Sequence, residues 1–340
     1  MKRIFLVSFL FVLINGFIFS RSFPMDDLVK PSMITVRDNK LYILEKTTIS
    51  IYSISDLKLI TKFGKSGEGP REFMARTYGP PMSMSFENGE LVVNSTNKLS
   101  YFTPMGKFIN ERKAFANLVL YQVKDNFIAI GPSPDKENRF RISVRLYSND
   151  LKEIKNLFHT NISVNPQNDF ILPLSAITHN PSYKGKIIIP ESNRDFVIGI
   201  FDHKGKRLGK IEKKFEKVSI PEKFKSETHD WFKKYSIYKK FYENIKQFIK
   251  FKEYFPAIRD IYIADEHIHV ITYKRKGKMW ECIILDMKGK EINKLFVPLD
   301  RYVPFTYYAI LYSIENGKMY SLIEDEDEET WELHVTDLKK

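Results

Sequence analysis

The stretch "DNKLYILE", Asp38 to Glu45, holds the reading that decides the fold. Turn residues lead into one polar slot, and a short run of β-forming residues follows. The same arrangement returns as "NGELVVNS" (88–95), "KDNFIAIG" (124–131), "YKGKIIIP" (183–190), "DEHIHVIT" (265–272) and "NGKMYSLI" (316–323). The slot is filled by Lys40, Glu90, Asn126, Lys186, His267 and Lys318, at steps of 50, 36, 60, 81 and 51 residues.

A second series follows the first at a similar lag. It reads "ISIYSISDLKLI" (49–60), "LSYFTPMGKFI" (99–109), "SVRLYSNDLKEI" (143–154), "IGIFDHKGKRLGKI" (198–211), "CIILDMKGKEI" (282–292) and "LHVTDLKK" (333–340). Each copy is a strand and then a polar turn ending in lysine, and five of the six continue into another strand. A short antiparallel sheet cannot bury both faces alone, whereas radial stacking buries each against the next and leaves only short edges. The expected fold is all-β: a six-bladed β-propeller, its blades at roughly 32–73, 82–115, 117–160, 176–220, 256–298 and 306–340. The last copy stops where its outer strand should begin, so "FPMDDLVK" (23–30) is expected to supply that strand and close the ring.

After the first blade comes "FGKSGEGPREF" (63–73), three glycines and a proline that suggest a phosphate loop. A phosphate loop needs Gly-Lys-Ser/Thr opening a helix. Here Gly69-Pro70-Arg71 takes that place, so the glycines read as a tight passage between blades. Gly64, Gly67, Gly69, Pro70, Glu72 and Phe73 resemble the blade-junction motif of NHL-type bacterial six-bladed propellers, with Arg71 replacing the last family glycine. Phe201, Asp202, Gly205 and Lys206 resemble that family's blade turn, and Leu285, Asp286, Gly289 and Lys290 do so more weakly. The resemblance implies a fold and leaves the activity open.

The start, "MKRIFLVSFLFVLINGFIFSRSFPM", has a basic pair, an apolar run from Ile4 to Ser20, and small residues at Ser20 and Ser22. This is the pattern of a cleaved signal peptide at 1–22, with the propeller at 23–340 and a periplasmic or secreted destination. An uncleaved anchor is the rival. Cys282 is the single cysteine, which excludes an intramolecular disulfide, and its apolar neighbours make it a buried strand residue.

The formal charge is +12, but residues 201–252 carry 16 basic against 7 acidic side chains. The charge belongs to one region, which runs into an insertion at 221–255 between blades four and five. There Trp231, Tyr235, Tyr238, Tyr242, Ile245 and Ile249 recur at the spacing of one helical face. A helix covering the propeller is the plainest reading, and Lys233, Lys234, Lys239 and Lys240 form a candidate partner surface. Basic amphipathic helices also suit anionic membranes. Nucleic acid is not expected, because the interleaved stacking platform of single-strand binders is missing.

"EDEDEE" (324–329) lacks the spacing of a calcium loop and reads as a solvated hairpin tip. It could also pair with the lysines or hold calcium loosely. His267 and His269 share a strand face, but no third metal ligand can be named.

No nucleophile, base and orienting group assemble from the sequence. The expected function is a non-enzymatic exported scaffold, without cofactor, binding a protein, peptide or glycan. One alternative, implied by the resemblance to six-bladed folds of this kind, is a metal-dependent lactonase, esterase or lyase with ligands in the central channel, for which Glu45, Asn94, Glu191 and His269 are candidates. The other is docking to a partner or membrane through 221–255.

Overall fold

A computed structural model describes residues 20–340 apart from 77–81, 117, 135–139, 160–163, 166–168, 172–176, 193, 235–238, 300–309, 326–329 and 340. Six antiparallel sheets occupy 31–63, 83–113, 119–159, 182–213, 260–298 and 312–337, each ordered from an inner to an outer strand. Their inner strands begin at Pro31, Ser83, Val119, Ser182, Asp260 and Tyr312, and each contacts the next, the last returning to the first. This closed ring is a six-bladed β-propeller.

The two repeated series are the two kinds of turn. Between first and second strands, Asp38-Asn39, Asn88-Gly89, Lys184-Gly185, Asp265-Glu266 and Asn316-Gly317 all have positive φ at both central positions. This is the two-residue turn whose twist matches paired strands, which explains the Asn, Asp and Gly found there. Between third and fourth strands, Leu57, Gly106, Leu151, Gly205 and Gly289 have positive φ, each beside a register shift. That is the three-residue hairpin with its bulge. Asp202 and Asp286 brace two of these turns, each accepting two backbone N–H bonds at 2.8–2.9 Å through Oδ1. Glycine is demanded at 289, where a Cβ would lie 2.7 Å from Ile211 of the preceding blade.

The strands are apolar on both faces because each sheet is sandwiched. Leu41 and Ile43 join Leu322 and Leu333 of blade six, while Tyr42 and Leu44 join Leu91 and Val93 of blade two. One such cluster fills every gap between blades. Cys282 lies within the cluster between blades five and six, and burial pushes its thiol up to about 12. An unreactive thiol results.

The ring does close through the N-terminal segment, but the strand lies earlier than expected. Ser20–Pro24, not 23–30, pairs antiparallel with Glu332–Thr336 as the outer strand of blade six. Residues beyond Pro24 turn inward instead, because Met25 and Leu28 are apolar and fit between blades six and one, each 5% exposed. Cleavage after Ser22 would leave two residues of this strand.

The insertion is not one continuous helix. A helix runs Glu222–Lys234, a second turn covers Tyr242–Ile245, and Ile249 lies in a two-residue strand. The reason is a local core: Phe232, Tyr242, Ile249 and Ile220 pack together. In a straight helix Phe232 and Tyr242 would stand about 15 Å apart along the axis, so the chain folds back to bring them together. Tyr235 and Tyr238 lie outside the described residues.

Candidate binding face

Because strands within a blade alternate in direction, successive turns fall on opposite faces of the ring. One face carries only the short turns just described. The other carries the connections between blades, together with the second-to-third-strand hairpins. On this loop face three hairpins project, since the second strands of blades three, five and six run to Pro134, Lys276 and Asp325. The corresponding strands of blades one, two and four stop at Glu45, Ser95 and Pro190.

Two long connections complete this crown. From the connection leaving blade three, Asp169–Ile171 pairs in parallel with Ile249–Lys250 of the insertion. The insertion closes at its base, where Ile220 N donates to Glu253 O and Phe255 N to Val218 O, at 3.0 and 2.9 Å. Phe255 then stacks on Tyr273 of the blade-five hairpin, centroids 4.3 Å apart, and Lys274 pairs with Glu216 at 2.6 Å. The insertion is therefore a folded element anchored to the loop face.

Below the crown the ring is held by polar side chains. The Arg76 guanidinium, 5% exposed, donates to Asn94 Oδ1 and at 3.0 Å to the Asn94 carbonyl. Asn94 Oδ1 also accepts from Leu120 N at 2.9 Å, joining blades two and three. Burial lowers Arg76 to about 10, so it remains charged at neutral pH. Arg259 and Arg275 lie 4.0 and 4.7 Å from the Trp280 ring, attractions that strengthen with desolvation. Near the axis Ser313 Oγ bonds Tyr262 Oη and accepts from Val36 N, both at 2.9 Å, linking blades five, six and one. Strand Ile177–His179 runs parallel to the inner edge of blade five.

The four channel candidates sit in four separate settings. Glu45 clamps the N-terminal segment, accepting from Val29 N and Lys30 N at 2.8 and 2.5 Å. Asn94 is the brace just described. Glu191 is held by Arg207 at 2.6 and 2.8 Å, on the rim of a shallow flank cavity of about 520 Å³. His269 is 2% exposed between blades five and six. Among the described residues no three His, Cys, Asp or Glu side chains converge as metal ligands.

His269 gives a test by pH. Neither ring nitrogen makes a well-formed hydrogen bond. Burial chiefly, then repulsion from His267, holds its pKa down to about 4. An unfolded histidine protonates near 6.5, so this stabilising difference is complete above that pH and is lost as pH falls toward 4. Replacing His269→Leu is expected to flatten the loss of stability across that interval by about 3 kcal/mol. Urea unfolding at several pH values measures this, and an unchanged acid slope would show that the imidazole is not the group concerned.

The loop carrying Gly64, Gly67, Gly69, Pro70, Glu72 and Phe73 folds onto itself. Gly69 N donates to Glu72 Oε2 at 2.9 Å and Gly67 N to Phe73 O at 3.1 Å. Lys65 pairs with Glu72 at 2.8 Å and, with Gly69, holds its carboxyl below the usual range. A protein carboxylate thus occupies the position an anion would take.

Of the lysines singled out, Lys233, Lys234, Lys239 and Lys240 are all exposed. Lys233 pairs with Asp230 at 3.0 Å, and its Nζ stands 5.7 Å from the Tyr242 ring. His229 Nδ1 and Tyr242 Oη share a 3.0 Å hydrogen bond. The fold-back therefore gathers both lysine pairs at one end of the insertion. The helical spacing did not reveal Phe241, which is 58% exposed beside them. Its only signal was an aromatic off the stripe and next to two lysines. Arg76 and the packing of Arg259 on Trp280 were also missed, because their partners come from distant positions. Of "EDEDEE", Glu324 and Asp325 end a strand and 326–329 lie outside the described residues.

No family model and no curated protein match the chain. Among solved structures it is similar to a luciferin-regenerating enzyme, with 12% identity, a TM-score of 0.41, and 94% of this chain and 95% of the other covered. The Pan2 WD40 domain of Neurospora crassa gives 10% identity and a TM-score of 0.42 over 92% and 91% of the two chains. BamB from Moraxella catarrhalis gives 9% and 0.33 over 89% and 71%. The blade count stands on the sheet pairings above.

Proposed function

We propose that the protein is an exported, non-enzymatic NHL-like scaffold that binds a protein, peptide or glycan through its loop face. The carrying observation is the asymmetry of the ring. Tight turns make up one face, while the other bears three projecting hairpins and an insertion with its own core, tied to the blade-five hairpin and to the connection leaving blade three. Loops held by a rigid scaffold are where binding residues concentrate. Export rests on Lys2, Arg3 and the apolar run Ile4–Ser20. Among the described residues no helix is long and apolar enough to cross a membrane.

Photo-cross-linking in the native cell tests this. A photoreactive residue at Lys278, exposed on the blade-five hairpin, is expected to give a discrete adduct. The same residue at Lys204, exposed on the opposite face, is expected to give none. Adducts from Lys204 alone would place recognition on the wrong face for this reading.

A further inference from the structure

We propose that the fold-back end of the insertion docks on an anionic phospholipid surface, with Phe241 entering the headgroup layer and the lysines around it meeting the lipid charges. The proposal rests on the loop face as the recognition face and adds a lipid surface to what that face meets. Three observations carry it. Phe241 is 58% exposed, and among the described residues Phe23, at 37%, is the one other exposed phenylalanine. Lys239 and Lys240 immediately precede it, and the Tyr242 contacts bring Lys233 and Lys234 alongside. Asp230 and Glu243 answer Lys233 and Lys246, at 3.0 and 2.6 Å, and Asp230 also meets the charge of Lys234, whereas Lys239 and Lys240 have no acidic partner among the described residues.

An exposed aromatic ringed by lysines has the composition of interfacial membrane elements, where the ring sits among headgroups and the ammonium groups reach anionic lipid. An acidic polypeptide would satisfy the lysines but would leave Phe241 without an apolar setting. The insertion's own core packs Tyr242, the residue after Phe241, against Phe232, Ile249 and Ile220.

The test is sedimentation of the full processed chain with vesicles of phosphatidylcholine alone and of phosphatidylcholine mixed with phosphatidylglycerol. Binding is expected only to the mixed vesicles and is expected to weaken with added salt. Phe241→Ala should weaken it about tenfold, the share expected from a partly buried ring. Lys239→Glu with Lys240→Glu should weaken it on the order of a hundredfold or more. Lys204→Glu with Lys206→Glu, the same charge change on the turn face, should leave it unaltered. Absence of binding by the parent overturns the proposal, as does equal binding to neutral vesicles. Equal loss from the turn-face pair would make it an effect of net charge, and competition by polyglutamate with no effect of Phe241→Ala would assign the patch to acidic polypeptides; either overturns it. Loop-face cross-linking from Lys278 that survives such a failure would leave the scaffold reading standing.

Discussion

A chain beginning at Pro31 is expected to lose cooperative unfolding, or to melt far below a chain beginning at Ser20. The segment removed does two things. Ser20–Pro24 pairs with five residues of the last strand, and Met25 and Leu28 fill the gap between blades six and one. Met25 N also donates to Trp331 O at 2.7 Å. Each apolar side chain contributes roughly 1.5–3 kcal/mol, and each ladder hydrogen bond about 1 kcal/mol net. Together this approaches the whole stability of a typical domain, about 5–15 kcal/mol. A chain beginning at Phe23 keeps Met25, Leu28 and the last of the pairings, so its melting temperature is expected to fall between the other two. Equal melting of all three would mean that the ring closes without this strand.

Phe73→Ala is expected to cost about 3–5 kcal/mol, the usual range for a fully buried aromatic. Its ring is 0% exposed among Leu44, Leu91 and Phe102, and it pins the junction between blades one and two. Gly64→Ala should be comparably damaging. Gly64 has φ +88°, and a Cβ there would lie 2.6 Å from the Thr47 carbonyl and 2.7 Å from the Phe73 ring. The double variant should lose less than the sum, since removing the ring relieves one of the two clashes. Phosphate or nucleotide should not raise the melting temperature, because Glu72 already holds the loop. Melting temperatures like the parent's would take the motif out of the fold's support.

Much of the fold was legible because turn chemistry is local. A two-residue turn with positive φ needs residues such as Asn88-Gly89 or Asn316-Gly317, and the sequence shows such pairs before each second strand save in blade three, where only Lys124 of its turn has positive φ. The insertion was legible only in part. Its aromatics recur at helical spacing, but the pairing of Phe232 with Tyr242 is tertiary, and that pairing folds the segment back. The closing strand was displaced for a related reason. Met25 and Leu28 had an apolar gap to fill, which left Ser20–Pro24 for the edge. The loop face was the least legible, because its parts come from four blades. Nothing near Arg76 in the chain announces Asn94, and nothing near Trp280 announces Arg259.

The protein is proposed to be a self-sufficient ring with recognition gathered on its loop face. The most direct measurement is the two-face cross-linking comparison, repeated in a chain whose insertion is excised where Ser219 bridges Tyr254. A discrete adduct is expected from Lys278 and none from Lys204 in the intact chain. The excised chain is expected to unfold cooperatively still but to lose that adduct. Adducts from Lys204 alone, or an undiminished Lys278 adduct after excision, would contradict this reading.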